Sequence, residues 1–149
     1  MRRLALYAFI ITLLWLGFVC AISFLEAPIK FQVLTKAQAL SLGRPVFHAL
    51  NRVEWICAGF SWLIIFRLRV VRTRGSLLLL GAITAILAFQ TWGLFPTLDA
   101  RALDFMQGNA PPATWHHQTY IVVEIIKACL LGVLSSLQIQ SFARAVISE

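Results

Sequence analysis

Apolar residues run along this chain in four long blocks, Leu4–Leu25, Val46–Phe66, Leu77–Leu98 and a last one over 118–139 that is densest from Tyr120 to Ile139. Each holds about 20 residues, enough α-helix to cross a hydrocarbon core about 30 Å thick. The pattern predicts an all-α fold, an integral membrane four-helix bundle in which residues 1–149 make one four-span domain. Pro28 should end the first helix near Glu26-Ala27-Pro28, and Pro45 should stand in the first turn of the second after a break at Gly43-Arg44. Between them Phe31, Leu34, Ala37, Leu40 and Leu42 predict a short amphipathic helix lying at the membrane surface. Asp99–Thr114, with Gly108-Asn109 and Pro111-Pro112 as turn signals, reads as the longest extramembrane segment.

Composition agrees with that layout. The 149 residues are 60% hydrophobic and 13% charged, and the mean hydropathy is +0.82. A soluble domain is about a quarter charged, so lipid rather than water covers this one. A net charge of +7 raises the idea of a nucleic-acid partner, but its distribution follows membrane topology. Arg2, Arg3, Arg67, Arg69, Arg72, Arg74 and Arg144 share one side with a single acid, Glu149. The other side mixes Lys30, Lys36, Arg44, Arg52, Arg101 and Lys127 with Glu26, Glu54, Asp99, Asp104 and Glu124. The positive-inside rule then makes the arginine side cytoplasmic, giving an N-in/C-in protein of the bacterial inner membrane with no nucleic-acid partner. The Met1-Arg2-Arg3 start resembles a signal peptide, but the apolar run is long and Ala21-Ile22-Ser23 is a faint cleavage site, so the first helix is expected to stay uncleaved.

Chemistry-bearing residues gather at the outer end of the spans. Glu26, Glu54 and Glu124 fall near one boundary with Arg44, His48, Arg52, His116, His117 and Lys127. Intramembrane ionisable groups are costly and mark functional sites. Helical spacing puts His116, Tyr120, Glu124 and Lys127 on one stripe, and Arg44, His48 and Asn51 or Arg52 on another. Together these residues predict a polar pocket lined by Glu26, Arg44, His48, Glu54, His116, Tyr120 and Glu124. The alternative is structural pairing, through Glu124–Lys127, Glu26–Lys30 and Glu54 with an arginine.

No metal site is expected, because the adjacent His116 and His117 diverge on a helix and no HxxxH or ExxH pair is present. No cofactor is expected either, and no catalytic residue can be named. Ser61, Ser135 and Ser136 lie far from every histidine. Cys20, Cys57 and Cys129 read as small buried apolar residues. Gly132, Ser135 and Ser136 invite close approach of a neighbouring helix. Arg67, Arg69, Arg72 and Arg74 set topology and would attract anionic lipid head groups.

A family likeness appears in Trp15-x-Gly17, Glu26-Ala27-Pro28-x-x-Phe31, Leu42-Gly43-Arg44-Pro45-Val46-Phe47 and the histidine opening the last helix, His116 or His117. These resemble the transmembrane-protein-205-like domains, small four-helix membrane domains of bacteria and eukaryotes. The chain departs from that pattern at Glu26, at Asn51-Arg52-Val53-Glu54 and at Glu124 with Lys127. The resemblance implies the fold and carries no biochemical activity.

Three readings of function follow. The leading one is a non-enzymatic membrane protein whose periplasmic-side pocket binds a small ligand or a partner subunit. The second is a membrane enzyme acting on a lipid or quinone with Glu or His acid–base groups. The third is an oligomeric transporter of a small solute or an ion, which would need a route past the featureless apolar cytoplasmic halves.

Overall fold

A computed structural model describes residues 2–67, 72–109 and 114–147. Helix α1 (Arg2–Val19) passes through a π-helical segment (Cys20–Glu26) into α2 (Ala27–Val33). After a two-residue break α3 (Lys36–Arg67) follows. Helix α4 (Arg74–Ala88) passes through a second π segment (Phe89–Leu94) into α5 (Phe95–Met106), and α6 (His116–Ile147) completes the described chain. Four rods, Leu6–Val33, Lys36–Arg67, Arg74–Met106 and His116–Arg144, are long and apolar enough to cross a membrane. The described residues form an all-α bundle without strands, the fold of a multi-pass membrane protein.

The helix breaks differ from the expectation, and the chemistry of the backbone explains why. Pro28 does not stop the first rod. A proline ring clashes with the carbonyl four residues back; here the preceding turns widen, and the Ala27 N–H bonds Ile22 O, five residues back. The same device precedes Pro96, where the Phe95 N–H bonds Gln90 O. Each π segment ends two residues before a proline and carries the helix past it. The true break is Leu34, which is extended at φ −106°, ψ 156°. Thr35 then starts α3 with a capping box: its Oγ1 accepts the Gln38 N–H at 3.4 Å while Gln38 Oε1 accepts the Thr35 N–H at 3.2 Å. Residues 36–44, expected as part of a separate surface helix, are therefore the first turns of α3, and the exposed Pro45 lies within it. Helix α5 likewise takes up the first half of the expected extramembrane segment, Asp99–Thr114, and ends at Met106; Gly108 just beyond it has a φ of 90° that suits glycine.

Each rod buries one stripe. In α1 it is Ala8, Thr12, Trp15 and Val19; in α6 it is Tyr120, Glu124, Lys127, Leu131, Leu134 and Gln138. The third rod buries Ser76, Leu80, Ile83, Leu87, Gln90 and Leu94, then Ala102. Steps of four and three residues become steps of four across the π segment, because its extra residue rotates the following helix.

Around the bundle α1 packs on α3 and α6, and α4 packs on the same two. Helices α3 and α6 thus face each other across the axis. Large apolar side chains such as Leu14, Phe60, Leu78 and Val133 cover the outside, as lipid contact requires. Two small-residue readings change here. Only Cys57 of the three cysteines is buried, Cys20 and Cys129 being exposed on the outer surface. A Cβ at Gly132 would meet nothing within 4 Å, so that glycine marks no close helix approach.

Candidate functional site

The inward stripes bring six polar side chains to the axis at one depth. Lys127 on α6 is fully buried, with its Nζ 2.6 Å from Glu54 Oε1 on α3 and 3.0 Å from Glu124 Oε2 on its own helix. Its third proton goes to Gln90 Oε1 at 2.7 Å. Gln90 returns its amide N–H to Glu124 Oε2 at 2.6 Å. Ser23 Oγ donates to Glu124 Oε1 at 2.8 Å, and the Trp15 indole N–H donates to Glu54 Oε1 at 3.0 Å. Both π segments contribute a member, Ser23 from the first and Gln90 from the second.

The cluster lies at membrane depth. Glu54 precedes Arg67 by thirteen residues, about 20 Å of helix, and follows Arg44 by ten, about 15 Å. Two carboxylates and one ammonium there are tolerable only because each is hydrogen-bonded. The Trp15, Glu54, Gln90, Glu124 and Lys127 side chains tie all four rods together, α3 to α6 across the diagonal included.

A second layer lies toward the polar end. The Arg44 guanidinium grips Asp99 with two bonds of 2.7 and 2.8 Å, and His48 Nε2 stands 3.3 Å from the same Asp99 Oδ1. Lys30, buried against Gly43, pairs with Glu26 at 3.0 Å and sits 4.8 Å from the centre of the Phe47 ring. Gly43 leaves room for it: a Cβ there would come within 2.9 Å of Lys30 Nζ, and the end of the lysine would have to shift. Arg44, Asp99, Lys30 and Gly43 border a cavity of about 140 Å³, walled by Phe47, Phe95 and His117, with Tyr120 on α6 also lining it; Glu26 and His48 stand outside it. Tyr120 packs edge-on against Phe47 and Phe95 at 6.0 and 5.8 Å, one helical turn above Glu124.

The expected single pocket is therefore two layers. Glu54, Glu124 and Lys127 meet in the buried deep cluster; Glu26, Arg44 and His48 belong to the outer one, and Tyr120 stands between. The pairs Glu26–Lys30 and Glu124–Lys127 form, while Glu54 takes Lys127 instead of an arginine. His116 stacks on Trp115 at 4.3 Å with its Nδ1 buried and unpartnered, and Arg52 is exposed. Arg67, Arg72 and Arg74 are exposed at the opposite end; Arg69 lies outside the described residues. Among the described residues no three His, Cys, Asp or Glu side chains converge as metal ligands do.

Sequence reasoning passed over Trp15, Ser23, Gln90 and Asp99 as site members. Gln90 had a readable signal, a lone amide falling on the buried stripe of an otherwise apolar span. The others needed the π segments and the packing to be known.

The model of the family described as a domain of unknown function (DUF4149) matches residues 10–106, so the chain belongs to that family. That stretch includes Trp15, Ser23, Glu54, Gln90 and Asp99 but ends before α6. No curated protein and no solved structure matches the chain.

Proposed function

We propose that this is a membrane-embedded binding protein whose outer cavity takes a small amphipathic molecule. The observation that carries the reading is the cavity itself, where an aromatic wall of Phe47 and Phe95 meets the Arg44–Asp99 pair. Apolar walls with a few fixed polar groups are what a small-ligand site needs. The ligand's apolar body would lie on the phenylalanines, and its polar head would reach Arg44, Asp99 and His117. The deep cluster below gives the cavity a rigid floor by tying the four rods together.

The orientation proposed with it is N-in/C-in, from the arginines at one end, in a bacterial inner membrane. The cavity then faces the periplasm, and Arg67, Arg69, Arg72 and Arg74 face anionic lipid heads on the cytoplasmic side. Association with a second copy or a partner subunit through the lipid-facing surface belongs to the same proposal.

Ala102 borders the cavity and is buried, so Ala102→Phe fills it from a helix that keeps its other contacts. Wild type and this variant, purified identically from membranes, are extracted and analysed by mass spectrometry. A small amphipathic compound enriched in the wild-type sample supports the reading; identical extracts overturn it.

A further inference from the structure

We infer that the deep cluster is a proton site, with one exchangeable proton on Glu54 reached by water from the arginine-rich end. The inference is independent of a ligand in the outer cavity.

Charge balance is the first argument. Two carboxylates and one ammonium, all buried, leave one uncompensated negative charge at membrane depth. A buried unpaired charge is neutralised more readily than endured, and a proton is the smallest group that does it. Geometry then selects the carboxylate. Glu124 accepts hydrogen bonds on both oxygens, from Ser23 on Oε1 and from Gln90 on Oε2, besides its ion pair with Lys127. Glu54 takes the Trp15 hydrogen bond and the Lys127 contact on Oε1 alone. The ammonium is already shared among Glu54, Glu124 and Gln90. The added proton therefore belongs on Glu54 Oε2. Titratable groups facing Glu54 are Lys127, Glu124 and Tyr120 from α6 and Cys57 from α3 itself; α1 presents the indole of Trp15 and the third rod the amide of Gln90.

The cytoplasmic halves, expected to be featureless, hold Ser61, Ser135 and Gln138, buried to 2%, 5% and 1% exposure. Their Oγ atoms and both amide atoms of Gln138 have no hydrogen-bond partner. Buried polar atoms without a protein partner are where internal water resides. All three lie on α3 and α6, the helices that carry Glu54 and Lys127. Those helices run the same way across the axis, so Ser61 lies about 10 Å below Glu54, Ser135 about 12 Å below Lys127 and Gln138 about 16 Å below it. Between them and the cluster the α6 stripe is closed by the fully buried Leu131 and Leu134, while the α3 stripe carries only the small Cys57 and Ala58. Water seated at the three side chains would therefore reach Glu54 from the arginine end along the α3 side. Uptake is a simple transfer: a hydronium at that end gives its proton through the water file to the Glu54 carboxylate, and release reverses it.

The test is infrared spectroscopy of the full chain in lipid nanodiscs, reading the C=O stretch of a protonated carboxylic acid. The band is expected in wild type and absent in Glu54→Gln; Glu124→Gln, which leaves Glu54 balanced by Lys127 alone, should also lose it, and a band that persists in Glu124→Gln overturns the charge balance. No band in wild type, or a band that survives Glu54→Gln, overturns the site; a cluster neutralised by a sodium ion would show as the former. If Glu54→Gln does not fold, Trp15→Phe removes the indole donor from Glu54 and must move the band, and an unmoved band counts against the site equally. For the route, transfer into D₂O shifts the band. Gln138→Leu combined with Ser61→Ala is expected to slow that shift by about tenfold, as one lost water bridge does to a barrier. Tyr120→Phe should leave it unchanged. Slowing by Tyr120→Phe in place of the Gln138 and Ser61 changes would overturn access from the arginine end.

Discussion

Lys127→Met tests whether the buried cluster holds the four rods together. Methionine fills a similar volume and keeps the helix, so the change isolates the charge and its bonds. It removes contacts of 2.6, 2.7 and 3.0 Å to Glu54, Gln90 and Glu124. Breaking a buried ion pair from one side costs about 3–5 kcal/mol, because the remaining charge is stranded. Each 1.4 kcal/mol is about tenfold, so the folded-to-unfolded ratio should drop by about two to three and a half decades. The assay is reversible unfolding in mixed micelles, followed by tryptophan fluorescence. Adding Glu124→Gln to Lys127→Met removes one stranded carboxylate and should return about 1–2 kcal/mol. A single variant within about 1 kcal/mol of wild type would refute the reasoning, since surface ion pairs behave that way and buried ones do not.

Other predictions follow from the same contacts. Trp15→Phe keeps the ring packing but strands Glu54 Oε1 of one donor; it should cost about 1–3 kcal/mol in the same unfolding assay, and a neutral result would count against the indole bond. Pro96→Ala should destabilise the protein even though alanine favours helix by about 3 kcal/mol, because the second π segment can then relax and turn Gln90 away from Lys127 and Glu124; a raised unfolding midpoint would contradict this. Arg44→Ala and Asp99→Asn act on a part-exposed pair. Each should move the unfolding midpoint less than any change to the deep cluster, and the shift should shrink as salt rises. A shift independent of salt would mean that the pair is shielded from solvent.

How much of this was legible in advance can be judged from particular residues. The stripe His116, Tyr120, Glu124, Lys127 was readable because helical spacing is local, and its last three members are buried on one face. The pairs Glu26–Lys30 and Glu124–Lys127 were readable for the same reason, as neighbours one turn apart. The capping box at Thr35 was present in the sequence too, but the stronger local signals of Pro28 and Pro45 hid it. Proline is a helix breaker only if the preceding carbonyl has nowhere to go, and a π turn gives it room.

By itself the sequence determined that four apolar rods would form and that Tyr120, Glu124 and Lys127 share one face of the last, because those properties depend on length, hydropathy and a period of 3.6 residues. Tertiary structure decided the rest. Two π segments carry the first and third rods past their prolines, and Ser23 and Gln90, which stand in them, reach Glu124 only through the packing of four rods. The packing order sets α3 opposite α6, so that Glu54 meets Lys127 rather than an arginine on its own side. Residues far apart in the chain meet only through that geometry, and a buried cluster with a separate cavity above it replaced the one pocket that spacing alone predicted.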